Sequence, residues 1–136
     1  MVFDRLRKKY VPLTPEEFIR QNFVNWIINE LKFPTSLISN EVGLKLNNTL
    51  KRCDTVVYRS NGTPLLVAEF KAPYITINED TFSQIQRYNL VLKADYIIVT
   101  NGVSLFCLQF FDSCNPHYEF LDSVPSYEEI KLKHAD

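Results

Sequence analysis

Two apolar runs separated by a helix-length segment constrain this chain more than any other feature. Leu65-Leu66-Val67-Ala68, within Pro64 to Phe70, reads as the interior of a central strand, and Asp95 to Thr100 is apolar apart from its ends. Between them Phe82, Ile85, Tyr88 and Leu92 recur near one helical face, with Asn78 or Asp80 as the cap and an end near Lys93. A strand, a helical connection and a second strand form a crossover, which lets the two strands lie parallel.

The flanks extend this unit. Thr14-Pro15-Glu16-Glu17 is a helix start: Thr14 caps, Pro15 suits the first turn, and Glu17 stands at the capping-box position. Phe18, Ile19, Phe23, Trp26, Ile27 and Leu31 follow at helical spacing, and the helix should stop before Pro34. Trp26 is expected in the core. Glu41 to Leu46 alternates loosely, Asn47-Asn48 reads as a turn, and Arg52 to Tyr58 carries β-branched Thr55, Val56 and Val57. Ser60-Asn61-Gly62-Thr63 is a second turn, so three strands should form an antiparallel meander ending at Phe70. Asn101-Gly102 predicts a tight hairpin between the 95–100 strand and Val103 to Phe111. Ser126 to Lys133 predicts a short helix, with Glu129 completing a capping box. The expected class is α/β, a mixed sheet in the order α-β-β-β-α-β-β flanked by helices. The expected organisation is one domain: a basic arm over 1–13, a core over 14–111, and a tail with a short helix over 112–136.

Composition narrows the function classes. At 136 residues, 46% of them apolar, the chain has a core to pack but no room for a motor beside it. Three glycines argue against a glycine-rich nucleotide loop, and no Walker A pattern occurs. No apolar run approaches a membrane span, and the first residues lack the apolar stretch of a secretory signal, so a cytoplasmic location is expected. Cys53, Cys107 and Cys114 are odd in number and lack a C-x-x-C spacing; they read as small buried hydrophobes. Two histidines, His117 and His134, are too few and too far apart for a zinc site. Residues 1–93 hold 13 Lys and Arg against 9 Asp and Glu, whereas 94–136 hold 2 against 7. A basic working face on the first segment is the weak implication.

The chemistry lies at the end of the apolar 64–70 run. Glu69 and Lys71 share a strand face while Phe70 points to the other, and both are costly to bury unpartnered. A short meander brings Asp54, on the preceding strand, beside them. Two carboxylates with open water positions suit Mg²⁺, and a lysine nearby can orient water and offset charge on phosphorus. That set fits phosphodiester hydrolysis. No Ser/His or Cys/His pair supports acyl transfer. Plain readings stand beside these: an ordinary strand-end ion pair for Glu69 and Lys71, capping alone for Glu17, a solvated Gln84, a core Tyr88, and solubility charges at Lys8 and Lys9.

Asp54 followed by Glu69-x-Lys71, and then Gln84-Ile85-Gln86-Arg87-Tyr88, resembles the PD-(D/E)xK nuclease superfamily and the Q-x-x-x-Y helix of its RecB-like branch. With Lys9-Tyr10-Val11-Pro12, Thr14-Pro15-Glu16-Glu17, Lys51-Arg52-Cys53-Asp54, Glu69-Phe70-Lys71-Ala72-Pro73 and Ile98-Val99-Thr100-Asn101-Gly102, the chain is similar to the N-terminal nuclease domain of type I restriction enzyme R subunits over about residues 9 to 110. Cys53 stands where the motif's name has proline. The resemblance implies Mg²⁺, with Mn²⁺ as substitute, held by Asp54, Glu69 and the Phe70 carbonyl. It implies that Lys71 positions the attacking water, that Gln84 and Tyr88 support the site or touch the DNA backbone, and that Glu17 is a further ligand or orienting group. It implies DNA as partner, with motor or specificity subunits, and is compatible with a homo-oligomer. The rival reading is a non-catalytic nucleic-acid-binding or assembly module that keeps the fold. Duplex, single-stranded or branched DNA and RNA remain open as substrates.

Overall fold

The computed structural model describes residues 2–4, 9–11, 14–46, 49–111 and 116–133. The sequence elements appear in the order β1 (Val2–Asp4), β2 (Lys9–Val11), α1 (Pro15–Asn29), β3 (Ile38–Leu46), β4 (Thr49–Tyr58), β5 (Pro64–Phe70), α2 (Glu79–Leu92), β6 (Tyr96–Thr100), β7 (Leu105–Phe111), β8 (His117–Leu121) and α3 (Tyr127–Lys133). Strands β3 to β8 form one six-stranded sheet in sequence order, and β1 pairs with β2 in a separate ribbon. All neighbours are antiparallel except β5 and β6, which α2 connects and which run parallel, Glu69 beside Val99 and Phe70 beside Thr100. The crossover and the meander are therefore as the sequence predicts.

Each helix begins where its cap chemistry starts it. Thr14 Oγ1 accepts the Glu17 N–H at 3.1 Å. The Glu17 carboxylate accepts from Arg20 and Gln21 of its own helix. Asn78, rather than Asp80, caps α2, with Thr81 completing a reciprocal box. Ser126 and Glu129 exchange the two bonds of the box at α3, at 3.1 Å each.

The sheet divides the apolar interior in two. On the α1 side, Ile19, Phe23 and Ile27 pack with Val57, Leu66, Ala68, Phe70 and Ile98. On the α2 side, Phe82, Ile85 and Leu92 pack with Val56, Val67, Ile97, Val99 and Leu108. Cys53 and Cys107 are buried thiols, as expected; Cys114, His134 and the Asn47-Asn48 turn lie outside the described residues, as do residues 5–8 of the basic arm.

Four readings change. Trp26 is not a core residue: it is 38% exposed and touches Phe23 with its ring, centroids 5.9 Å apart. The inward face of α1 is set by Glu17, Arg20, Phe23, Val24 and Ile27, which leaves Phe18 and Trp26 to the outer side. Asn101-Gly102 does not make a two-residue turn. Asn101 Oδ1 accepts from the N–H groups of Val103 and Ser104, building a four-residue loop with Gly102 at φ +87°. Within 112–136, read as tail and short helix, β8 forms a sixth strand; its side chains are exposed or half-buried, so an edge strand there shows no apolar run. Finally, two short strands occupy part of the basic arm. The β4–β5 connection matches the expected turn, with Gly62 at φ +89° and nothing within 4 Å of where a Cβ would stand.

Candidate active site

The candidate residues Asp54 and Glu69 meet where β4 and β5 part. Their antiparallel register runs from Tyr58 and Pro64 to Thr55 and Ala68. At the next position Asp54 replaces backbone pairing with its side chain: Oδ2 accepts the Phe70 N–H at 2.8 Å. Glu69, one residue before Phe70, is buried on the α2 side, where the Tyr88 hydroxyl donates to its Oε1 at 3.1 Å. Both carboxylates act on that phenol. Burial pushes the Tyr88 pKa far up, and the charges of Glu69 and Asp54 raise it further, as does the hydrogen bond to Glu69. The phenol therefore stays a neutral donor across the physiological range, and both acids lie within electrostatic reach of one hydroxyl.

Lys71 leaves the strand but keeps its direction, since its N–H donates to the Thr100 carbonyl at 2.9 Å. Strand alternation then puts its half-buried side chain on the Glu69 side. Gln84 lies one turn before Tyr88 on α2 and is exposed. The loop after Lys71 is tied down from below: Asn101 Nδ2 donates to the Ile75 carbonyl at 2.8 Å.

Glu17 belongs to the other face. Arg20 Nη1 donates to its Oε2 at 2.6 Å and Gln21 Nε2 to its Oε1 at 3.1 Å. Arg20 is itself buried, with its guanidinium carbon 6.0 Å from the centre of the Phe70 ring, and its Nε has no hydrogen-bond partner. Glu17 thus approaches the motif strand from behind, through Arg20 and Phe70. Among the described residues, no three His, Cys, Asp or Glu side chains gather to hold a metal ion. The donors at Asp54 and Glu69 are oxygens at adjoining strand positions, which fits Mg²⁺, an ion that takes few protein ligands and keeps its waters.

Sequence reasoning missed Glu41 and Arg20. Arg20 Nη1 lies 3.6 Å from Glu41 Oε1, and Arg52 Nη2 lies 3.6 Å from Glu41 Oε2. The one available signal was a charged residue, Arg20, at the i+3 position from Glu17 on the inward stripe of an amphipathic helix.

The family described as Type I restriction enzyme R protein N terminus (HSDR_N) matches the chain over residues 15–125. Among solved structures, a DUF820 protein of Anabaena variabilis ATCC 29413, described as a candidate nuclease, is similar with a TM-score of 0.56 at 14% identity, over 92% of this chain and 79% of that one. No curated protein matches. The structural likeness speaks to the fold: a mixed sheet with flanking helices of the nuclease-like α/β kind.

Proposed function

The chain belongs to the type I restriction enzyme R protein N-terminal family, with the fold of a PD-(D/E)xK-like nuclease domain, and from that premise we propose that it hydrolyses DNA phosphodiester bonds with Mg²⁺. The observation that carries the reading is the nearness of Asp54, anchored on the Phe70 N–H, to Glu69, anchored on the Tyr88 hydroxyl, where β4 and β5 part. Bound there, the ion would stabilise charge on phosphoryl oxygens and lower the pKa of a water. Asp54, Glu69 and the Phe70 carbonyl would hold it. The chain's own work is orientation. The Phe70 amide fixes Asp54, the neutral phenol of Tyr88 fixes Glu69 without adding positive charge, and the Lys71 ammonium orients water and offsets charge on phosphorus. Gln84 borders the site from α2, and Glu17 orients it indirectly, through Arg20.

DNA delivery and sequence choice would come from motor and specificity subunits, as the family's description as part of a restriction enzyme suggests. The second reading, a non-catalytic binding or assembly module, draws on the near-neutral net charge of −1 and on the missing Walker A pattern. One experiment separates them: cleavage of single-stranded DNA, duplex DNA and RNA with Mg²⁺, Mn²⁺ or chelator, by wild type and by Asp54→Ala, Glu69→Ala and Lys71→Ala. The nuclease reading expects metal-dependent cleavage of DNA that each variant nearly abolishes while remaining folded. Activity that persists in Lys71→Ala, or that ignores chelator, would refute it.

A further inference from the structure

Strands β3 and β4 reverse their faces at a single pair of residues. Ile38 and its partner Val57 pack on the α1 side, and so does Ala68, the β5 partner of Thr55. Asn40 stands opposite Thr55, and Thr55 Oγ1 donates to Asn40 Oδ1 at 2.7 Å. Residues two apart on a strand share a face, so Val42 and Cys53, paired with each other, should also lie on the α1 side. They pack instead on the α2 side, with Val56 and Val67. The residues between these pairs are Glu41 and Asp54.

Glu41 supplies the turnover. Its φ is +55°, a left-handed conformation inside a strand, which a side chain with a Cβ resists and which glycine and asparagine accept. Such conformations persist when surroundings hold them. Here Arg20 reaches one carboxylate oxygen of Glu41 and Arg52 the other. Arg20 is in turn fixed by Glu17 at 2.6 Å and lies over Phe70, so α1, the kink and the motif strand share one guanidinium.

The consequence falls on Asp54. Past Thr55 the β4–β5 register ends, and the Asp54 carboxylate, not a backbone carbonyl, receives the Phe70 N–H. We infer that Glu41 is a positioning residue: its left-handed backbone, held by Arg20, draws β4 away from β5 at Asp54, so that the Asp54 carboxylate and not its backbone meets the Phe70 N–H. The catalytic part of this inference rests on the nuclease reading above; the conformational part does not.

The test replaces Glu41 with residues that differ in tolerance for positive φ. Glu41→Val opposes it strongly, Glu41→Ala less so, and Glu41→Gly adopts it freely. The first readout is the Phe70 amide proton in NMR spectra, which should lie downfield in the wild type, where it donates to Asp54 Oδ2, and lose that downfield position in Asp54→Ala. Glu41→Val and Glu41→Ala should lose that signature, and Glu41→Gly should recover it. The second readout is cleavage: kcat should fall about 100-fold in Glu41→Val, the scale of a 1 Å misplacement, with KM little changed, and Glu41→Gly should recover most of it. Equal damage in Glu41→Gly and Glu41→Val would show that the carboxylate matters and the backbone does not, overturning the inference. So would an intact Phe70 signature in Glu41→Ala, the variant that answers the question if Glu41→Val fails to fold. If wild type cleaves nothing, the nuclease reading falls, and the Phe70 signal alone decides the fate of the kink.

Discussion

Glu17 and Glu69 are buried to nearly the same depth, 6% and 8% exposed, on opposite sides of one strand. Their partners differ in kind. Glu17 has a guanidinium at 2.6 Å on one oxygen and an amide on the other. Glu69 receives a phenol. An ion pair of the first kind is a structural joint, because removing either charge strands the other away from water. The Tyr88 phenol, which burial keeps neutral, orients Glu69 without itself bringing a positive charge, which suits the metal ligand proposed for Glu69. Burial depth alone does not separate the two; the chemistry of the donor does.

The largest expected effect tests the Glu69 side. Glu69→Gln keeps shape and the phenol contact but removes the charge, so metal-dependent cleavage should fall by about 100-fold or more, with the thermal midpoint little moved. A calorimetric Mn²⁺ titration should lose its signal in parallel. Retained metal binding in Glu69→Gln would erase the contrast.

On the other side stability should respond first. Glu17→Gln leaves Arg20 buried beside a weakened partner, which costs roughly 3 kcal/mol and lowers the midpoint by about 10 °C. Denaturant melts would read this directly. Cleavage measured well below the melting range should drop less than in Glu69→Gln, because Glu17 acts only through Arg20.

Tyr88→Phe sharpens the comparison by deleting a donor and sparing the acid. The lost hydrogen bond is worth about 1 kcal/mol, and cleavage should fall roughly tenfold as Glu69 loses its orientation, the low end for loss of an outer-shell partner. If Tyr88→Phe equals wild type, the phenol is packing alone.

Alkaline pH probes both faces together. On the α1 side, burial pushes the Cys107 thiol up from 9.0 to about 12. A raised folded-state pKa gives stability that is whole below the unfolded value and lost as pH climbs through the folded one. Unfolding should therefore set in between about pH 9 and 12, and Cys107→Ala should shift its onset upward in circular dichroism melts at stepped pH. The smallest effect concerns Arg87, which is exposed on α2 beside Tyr88: Arg87→Ala should flatten the log–log salt dependence of DNA binding by roughly 0.9 if it meets a phosphate.

Local chemistry made much of this legible. Thr14, Asn78 and Ser126 start their helices by side-chain acceptors that the sequence displays, and the apolar runs ending at Phe70 and Thr100 fix two central strands. The nearness of Asp54 and Glu69 followed from a short meander and strand periodicity. What stayed hidden depends on contacts far along the chain. β8 is an edge strand whose exposed His117 and Glu119 give no apolar signal. Trp26 looks like core until the inward face of α1 is seen to be shared with Glu17 and Arg20. The face reversal at Glu41 was invisible because the residue that sustains it, Arg20, lies on another element; in the sequence it left only the loose alternation of Glu41 to Leu46.

The Gly62 turn offers a use that the site does not. Glycine there stands clear of every other atom within 4 Å of its missing Cβ, and the turn caps the ends of β4 and β5 remote from Glu69. Five strand steps separate Pro64 from Glu69, about 17 Å. A fluorophore or surface tether joined at Asn61 would therefore hang from the molecule like a handle. The protein could be immobilised or followed singly while the end that carries Asp54 and Glu69 faces solution.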